Sequence, residues 1–326
     1  MAAHYVGAGW ARAKRALEAA FSGLGRPRID RVVKVGHGLS NEVYAAHVEL
    51  VPDPDGRSGA YAACVPARGS VPRTRASWQR EGTLLERVAA RTRAVRVPTL
   101  MAIVPVEGVD VAVRSYLEGV PLDFRAGRQP GVAPWEVVAR VAAAVHAVDV
   151  GDIPDLGGHA TRRAHALSEI AVFNGLSELR EVERWALEHL PEDEPSTLIH
   201  GDLLGQNILL HREQPCAVID WEVATRGDPA YDMAIVTRGS ARPFQVDHGL
   251  TRLLDAYAAQ ERPRVEAAAV HLYELCLVGR WYREALEGDG GGEPPGQLLW
   301  RLESLLRRAR AASARRVQGC PRPATS

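Results

Sequence analysis

Lysine is almost missing from this chain: of 40 basic residues in 326, only Lys14 and Lys34 are lysines. Any later role that calls for a cation must fall to arginine, a bias that, with the abundant alanine, fits GC-rich coding. Cysteine is also scarce. Cys64, Cys216, Cys276 and Cys320 stand far apart, in no metal-ligand or redox spacing, so reduced thiols in a cytoplasmic protein are expected. Net charge is absent too, with 40 basic and 40 acidic residues, which gives no global pull toward nucleic acid. Long apolar runs are lacking. Arg12, Lys14, Arg15 and Glu18 interrupt the N-terminal segment, so no signal peptide is expected. No run approaches the roughly 20 apolar residues of a membrane span.

What is present is ordinary globular material, 46% hydrophobic and 25% charged, enough for one large domain or two lobes. Trp10, Ala13, Leu17 and Phe21 recur at helical spacing and predict an amphipathic helix over 8–22. Short valine- and alanine-rich runs then predict strands at Ile29–Val35, Glu42–Val51 and Ala60–Val65. The last two flank a Pro-Asp-Pro-Asp-Gly turn. A helix over Thr74–Arg93 and strands at Leu100–Val104 and Val109–Leu117 complete a small, mostly antiparallel sheet with one inserted helix.

From Pro121 the pattern is helical: Pro134–Val148, Arg162–Phe173, Ser177–His189, Pro229–Thr237, Gln245–Gln260, Arg264–Leu286 and Gln297–Ala312. One non-helical island, Leu198 to Trp221, interrupts it. The expected architecture is α+β and bilobal, with a β-rich lobe over 1–117, a helical lobe over 118–315 and a disordered tail over 316–326. The cleft of such a pair is the first place to seek a ligand.

The island carries the chemistry. It reads Leu198-Ile199-His200-Gly201-Asp202, then Asn207 five residues after the aspartate, then Val218-Ile219-Asp220-Trp221-Glu222. Either fragment alone would pass for a turn between strands. A strand–loop–strand followed by a hairpin can gather Asp202, Asn207 and Asp220 into one volume, and phosphoryl transfer needs that grouping. Its loose transition state is stabilised mainly by placement and charge neutralisation. A carboxylate orients the attacking hydroxyl and accepts its proton. Magnesium takes hard oxygen ligands and keeps several waters, so one carboxylate and one amide suffice from the protein.

These motifs resemble the aminoglycoside phosphotransferase family, small-molecule kinases with a protein-kinase-like fold. The resemblance spans residues from about 30 to 290 and includes Gly227-Asp228-Pro229 and Asp232. It implies that Asp202 is the catalytic base and that Asn207 and Asp220 bind Mg2+, with ATP or GTP as co-substrate. Asp228 is expected to cap the next helix, Asp232 to brace the catalytic loop, and His200 to orient it. His146 is expected to be a hydrogen-bonded core histidine. The loop Val35-Gly36-His37-Gly38-Leu39-Ser40-Asn41 matches the family's small-residue phosphate loop, with Gly36, Gly38, Ser40 and Asn41 as contacts. The connector holding Ser115 and Leu117 resembles the hinge whose main chain pairs with a purine edge.

One position departs from the pattern. Such kinases pair a basic residue on the third strand with a glutamate on the next helix, and the base grips the α- and β-phosphates. Glu81 fits the glutamate, but Cys64 occupies the place of the base and both lysines precede that strand. Three readings follow: Arg68 replaces the lysine, the site works slowly without a clamp, or the protein binds nucleotide without turnover. Arg57 is a weaker substitute.

The expected acceptor is a small-molecule hydroxyl, foremost on an antibiotic such as an aminoglycoside. A polycation would call on Glu222, Asp228, Asp232, Asp152, Asp155 and Glu274. A more apolar acceptor such as a macrolide would call on Trp281, Tyr282, Tyr273 and Trp185, although a helical aromatic stripe is more often core. A metabolite kinase, for an amino alcohol or a sugar, and a nucleotide-binding regulator are the alternatives.

Overall fold

Ala13, Ala16, Leu17 and Phe21 share one side of a helix, and in the computed structural model α1 (Ala8–Phe21) buries all four against a β-sheet. The structure describes residues 7–37, 40–151, 153, 155–262, 264–288 and 292–318. The chain divides into two compact units: Met1–Val120 with His211–Ile219, and Pro121–Leu210 with Asp220–Ser326.

The first unit is built on β1 (Arg26–Ile29), β2 (Val33–His37), β3 (Asn41–Val51), β4 (Gly59–Pro66), β5 (Leu100–Val106) and β6 (Val109–Ser115). Helix α2 (Arg75–Arg91) is inserted after β4, its N-terminus capped by the Thr74 hydroxyl, which accepts from Ser77 N at 3.2 Å. The strands pair antiparallel in the order β1-β3-β4-β6-β5, with β2 also on β3. Where the sequence pattern predicts one strand over Ile29–Val35 there are two. Both lie along the same edge of the 11-residue β3, one after the other. Trp10 Nε1 donates to Val32 O at 3.1 Å in the break between them.

Strand alternation assigns the two faces. Ala63, Val65, Val111 and Val113 face α1, while Cys64 and Ala112 pack with Trp78 of α2. After β7 (Val120–Pro121) the chain enters the second unit, which holds β8 (Thr197–Ile199) and β9 (Ile208–Leu210). Residues His211–Ile219, expected in the helical lobe, belong instead to the first unit. Arg96 draws them there. Its main chain bonds Cys216 O at 2.9 Å and Val218 N at 2.8 Å beside β10 (Ala217–Val218), and its Nε reaches Pro215 O at 3.0 Å.

The second unit is helical: α3 (Pro134–His146), α4 (Arg162–Ile170), α5 (Arg180–Glu188), α6 (Pro229–Thr237), α7 (Gly249–Ala258), α8 (Ala267–Glu287) and α9 (Pro295–Gln318). β8 pairs antiparallel with β11 (Thr225–Gly227), which has no counterpart among the expected elements. At three residues it is too short to leave an alternating pattern. α7 begins four residues later than expected, because Phe244, Gln245 and His248 take positive φ angles of 58–59° that no helix continues through. α9 runs on through 316–318, and the rest of the expected tail lies outside the described residues. Among the described residues no helix is long and apolar enough to cross a membrane.

Candidate active site

Leu198 and Ile199 are buried strand residues, and the chain turns sharply after them. Gly201 makes the turn at φ +81°, where a Cβ would stand 2.8 Å from Val223 O. The fully buried Asp232, in the first turn of α6, holds this turn by accepting from His200 N and Gly201 N, each at 2.8 Å. His146 Nε2 lies 3.0 Å from the same carboxylate, and its Nδ1 lies 2.8 Å from Tyr257 OH. Burial alone would raise the Asp232 pKa. The hydrogen bond and charge of His146, with help from His200, outweigh it and hold the carboxyl below its usual range. His146 is thus a hydrogen-bonded core residue, and Asp232 is a brace.

The loop then closes on itself. A 3-10 turn at Gly205–Asn207 follows Leu204, and the Asn207 amide swings back. Nδ2 donates to Asp202 O at 2.8 Å and to Asp202 Oδ2 at 2.9 Å. Gly205 must lack a side chain, because a Cβ there would sit 2.3 Å from Leu122 O. The five-residue spacing from Asp202 to Asn207 is therefore the length of one tight turn that returns an amide to a carboxylate. Asp202 N lies 3.2 Å from His200 Nδ1, so His200 orients the loop through the backbone.

Asp220 takes a left-handed φ of +68°, a conformation that non-glycine residues adopt rarely and that often marks a functional site. Its neighbour Trp221 is buried with its ring 4.8 Å from that of His200. The Asp220 segment is thereby anchored to the loop that carries Asp202.

Asp228 caps α6 through Ala230 N at 2.9 Å and accepts from Tyr273 OH at 3.3 Å. Asp228 N in turn donates to His165 Nδ1 at 3.0 Å, a contact that needs an unprotonated ring nitrogen. Burial, then the nearby charge of His159, lower the His165 pKa from 6.5 to about 4. The unfolded chain therefore takes up the proton first, and folded-state stability is lost as pH falls from 6.5 to about 4. The loss from this group is expected to be about 3 kcal/mol. Urea titrations of wild type and His165→Gln at pH 7 and pH 4.5 check it, since the variant is expected to lack this component.

In the first unit, Gly36 lies in β2 opposite Val43, beside a β-bulge, and Gly38 is outside the described residues. Ser40 O accepts from Ala67 N and Ser70 Oγ, both at 3.0 Å, tying the loop to the chain after β4. Asn41 opens β3 with its Oδ1 buried and without a hydrogen-bond partner among the described residues. That oxygen calls for a donor, such as an N–H or a water, rather than a bare phosphate oxygen. Ser115 spends both N–H and Oγ on Thr99, each at 2.9 Å, whereas Leu117 N–H forms no backbone hydrogen bond among the described residues.

Glu81 is paired by arginines other than Arg68. Arg68 is exposed on the surface after β4. The buried Glu81 instead bonds Arg73 Nη1 at 2.6 Å and has Arg114 Nη1 at 3.6 Å. Sequence reasoning missed both arginines. Their only signals were a basic residue on the strand beside the hinge and another eight residues before the glutamate.

The proposed acceptor pockets also change. Asp228, Asp232 and Glu274 are buried and hydrogen-bonded inside the fold, Glu274 to Thr237, Gly239 N and His271. Glu222 and Asp155 are exposed, and Asp152 lies outside the described residues. Trp185, Tyr273 and Tyr282 are core residues. Trp281 is flanked by the guanidinium groups of Arg238 and Arg301, at 4.9 and 5.1 Å from its ring.

An antiparallel sheet with a helix-borne glutamate, and a helical unit with an Asp–Asn loop, are the parts of a kinase-like phosphotransferase fold. The chain belongs to the phosphotransferase enzyme family, which it matches over residues 31–269. A thermostable mutant of aminoglycoside phosphotransferase APH(4)-Ia, crystallised with ADP and hygromycin B, has this fold. It superposes with a TM-score of 0.63 at 17% identity, over 90% of this chain and 97% of that one. A homoserine kinase of Methylobacterium sp. (strain 4-46) is 28% identical over 263 residues, 72% of this chain and 77% of that protein. Acyl-CoA dehydrogenase family member 10 of Mus musculus is 27% identical over 181 residues, covering 47% of this chain and 17% of that protein. The chain thus spans under a fifth of the first curated relatives it matches, at 17% and 19% of their lengths.

Proposed function

We propose that this chain transfers the γ-phosphoryl group of ATP or GTP to a hydroxyl of a small molecule, with Asp202 as general base. The observation that carries the reading is the double hydrogen bond from Asn207 Nδ2 to Asp202. It ties down Oδ2 and leaves Oδ1 as the oxygen to orient the hydroxyl and accept its proton as the O–P bond forms. It also turns both Asn207 hydrogens away, so Oδ1 of the amide is presented as a hard oxygen. Together with the Asp220 carboxylate this donor set fits Mg2+, and it requires no cluster of three acidic or histidine ligands; none is found among the described residues. Magnesium, when bound, neutralises charge on the phosphates. The protein's own part is placement and proton acceptance.

An antibiotic acceptor such as an aminoglycoside would make the protein a cytoplasmic resistance enzyme, and the APH(4)-Ia complex with hygromycin B supports that class. A specific observation favours the second reading, a metabolite hydroxyl. Three of the acids available for a polycation are sequestered in the fold, and the homoserine kinase relative matches over 72% of this chain. A panel of ATP and GTP with Mg2+ against aminoglycosides, macrolides and amino alcohols including homoserine, read as nucleoside diphosphate release, tests this. Acceptor-dependent release is expected, largest with an amino alcohol. Stabilisation by nucleotide with no turnover on any acceptor would point to a binding protein instead.

A further inference from the structure

Cys64 stands on β4 where the family pattern calls for a base, and the structure puts a cation beside it on the neighbouring strand. Ala62 faces Arg114 across β4 and β6, and Cys64 faces Ala112. Cys64 and Arg114 are therefore diagonal neighbours on one sheet face, about 7–8 Å apart and within reach of a long side chain. Ala62, Cys64 and Ala112 are small and buried, so the guanidinium of Arg114 is the only charged group among these four facing positions. The same face receives α2, whose Trp78 packs on Cys64 and Ala112 and whose Glu81 meets Arg114.

Arg73 has a different part. It stacks 3.8 Å over the Trp78 ring, bonds Ser77 Oγ through Nε and Nη2 at 3.3 and 3.1 Å, and bonds Glu81. These contacts tie Glu81 to the start of α2. Arg114 places its planar guanidinium beside the same glutamate, with Nη1 3.6 Å from Glu81 Oε1. That planar group matches phosphate geometry and stays charged at any working pH.

We propose that Arg114 grips the nucleotide's α- and β-phosphates in place of the absent strand lysine, with Glu81 and Arg73 as its positioning residues. The proposal rests on the phosphotransferase reading and supplies the piece that the sequence lacks. A lysine at residue 64 and an arginine at residue 114 would compete for one place on the sheet, so the exchange is reciprocal.

The test is binding by calorimetry of Mg·ATP, Mg·GTP and the matching nucleosides to wild type, Arg114→Ala, Arg114→Gln, Arg68→Ala and the double variant Cys64→Lys/Arg114→Ala. Both Arg114 variants are expected to bind the triphosphate about 10–100-fold more weakly, while nucleoside affinity stays within about twofold. The double variant is expected to recover most of the loss, because its lysine meets the same Glu81. Unchanged triphosphate binding in Arg114→Gln overturns the proposal, as does equal loss of nucleoside and triphosphate. A loss confined to Arg68→Ala returns the role to Arg68. If wild type binds no nucleotide at all, the phosphotransferase reading falls along with the clamp, a result distinct from binding that ignores Arg114.

Discussion

Asp202→Ala is expected to lower acceptor-dependent turnover about 10²–10⁴-fold while leaving nucleotide affinity within about twofold, the signature of a lost general base. Substitution removes Oδ1, which would hold the acceptor's proton, and also one of the two acceptors of Asn207 Nδ2. The main-chain carbonyl of Asp202 still holds that amide, so the loop keeps half its closure. Asp202→Asn separates the two effects. It keeps an oxygen for Asn207 but cannot take a proton, and its turnover is expected to fall as far as that of the alanine variant. Release of nucleoside diphosphate with and without acceptor measures both. Equal rates in wild type and either variant would remove Asp202 from the mechanism.

Asp232→Ala is expected to be the most destabilising substitution in the second unit, by about 3–5 kcal/mol. The carboxylate is fully buried and accepts from two consecutive backbone N–H groups and from His146. Its removal leaves three buried donors without an acceptor and releases the turn that aims Asp202. Asp232→Asn keeps one acceptor oxygen but opposes its own N–H₂ to a backbone N–H, so a smaller loss of about 2 kcal/mol is expected. The pH dependence follows from the sign of the shift. The folded Asp232 carboxyl has a lowered pKa, so its contribution is present above the unfolded value near 4 and is lost as pH falls below it. The raised pKa of Asp228, driven by burial, works in the opposite direction over the acid range. Denaturant midpoints from pH 3 to pH 7 are expected to drop less on the acid side for Asp232→Asn than for wild type. Parallel curves would mean that Asp232 is not the charged acceptor described here.

Much of the second unit was legible along the chain because its signals are local. Pro229 at the first helical position after Asp228 marks the start of α6, and that helix ends at Thr237 as its pattern predicts. The Asp202–Asn207 spacing is likewise one turn long. β11 was not legible, since three residues facing β8 carry too little pattern. The split of β1 from β2 escaped for a related reason. An apolar run says that a segment is extended, but not that it must bend to follow its partner strand.

The residue order by itself determined the chemistry of the loop: an acid, an amide and a second acid at spacings that one turn and one hairpin can gather. It also determined the gap, since no lysine follows residue 34. Only the tertiary structure decided which cations answer Glu81 and which carboxylates are sealed inside. Arg73, Glu81 and Arg114 come from a loop, a helix and a strand, and Asp232 reaches His200 across 32 residues. Such pairings depend on how faces pack against one another, and no periodicity along the chain records that.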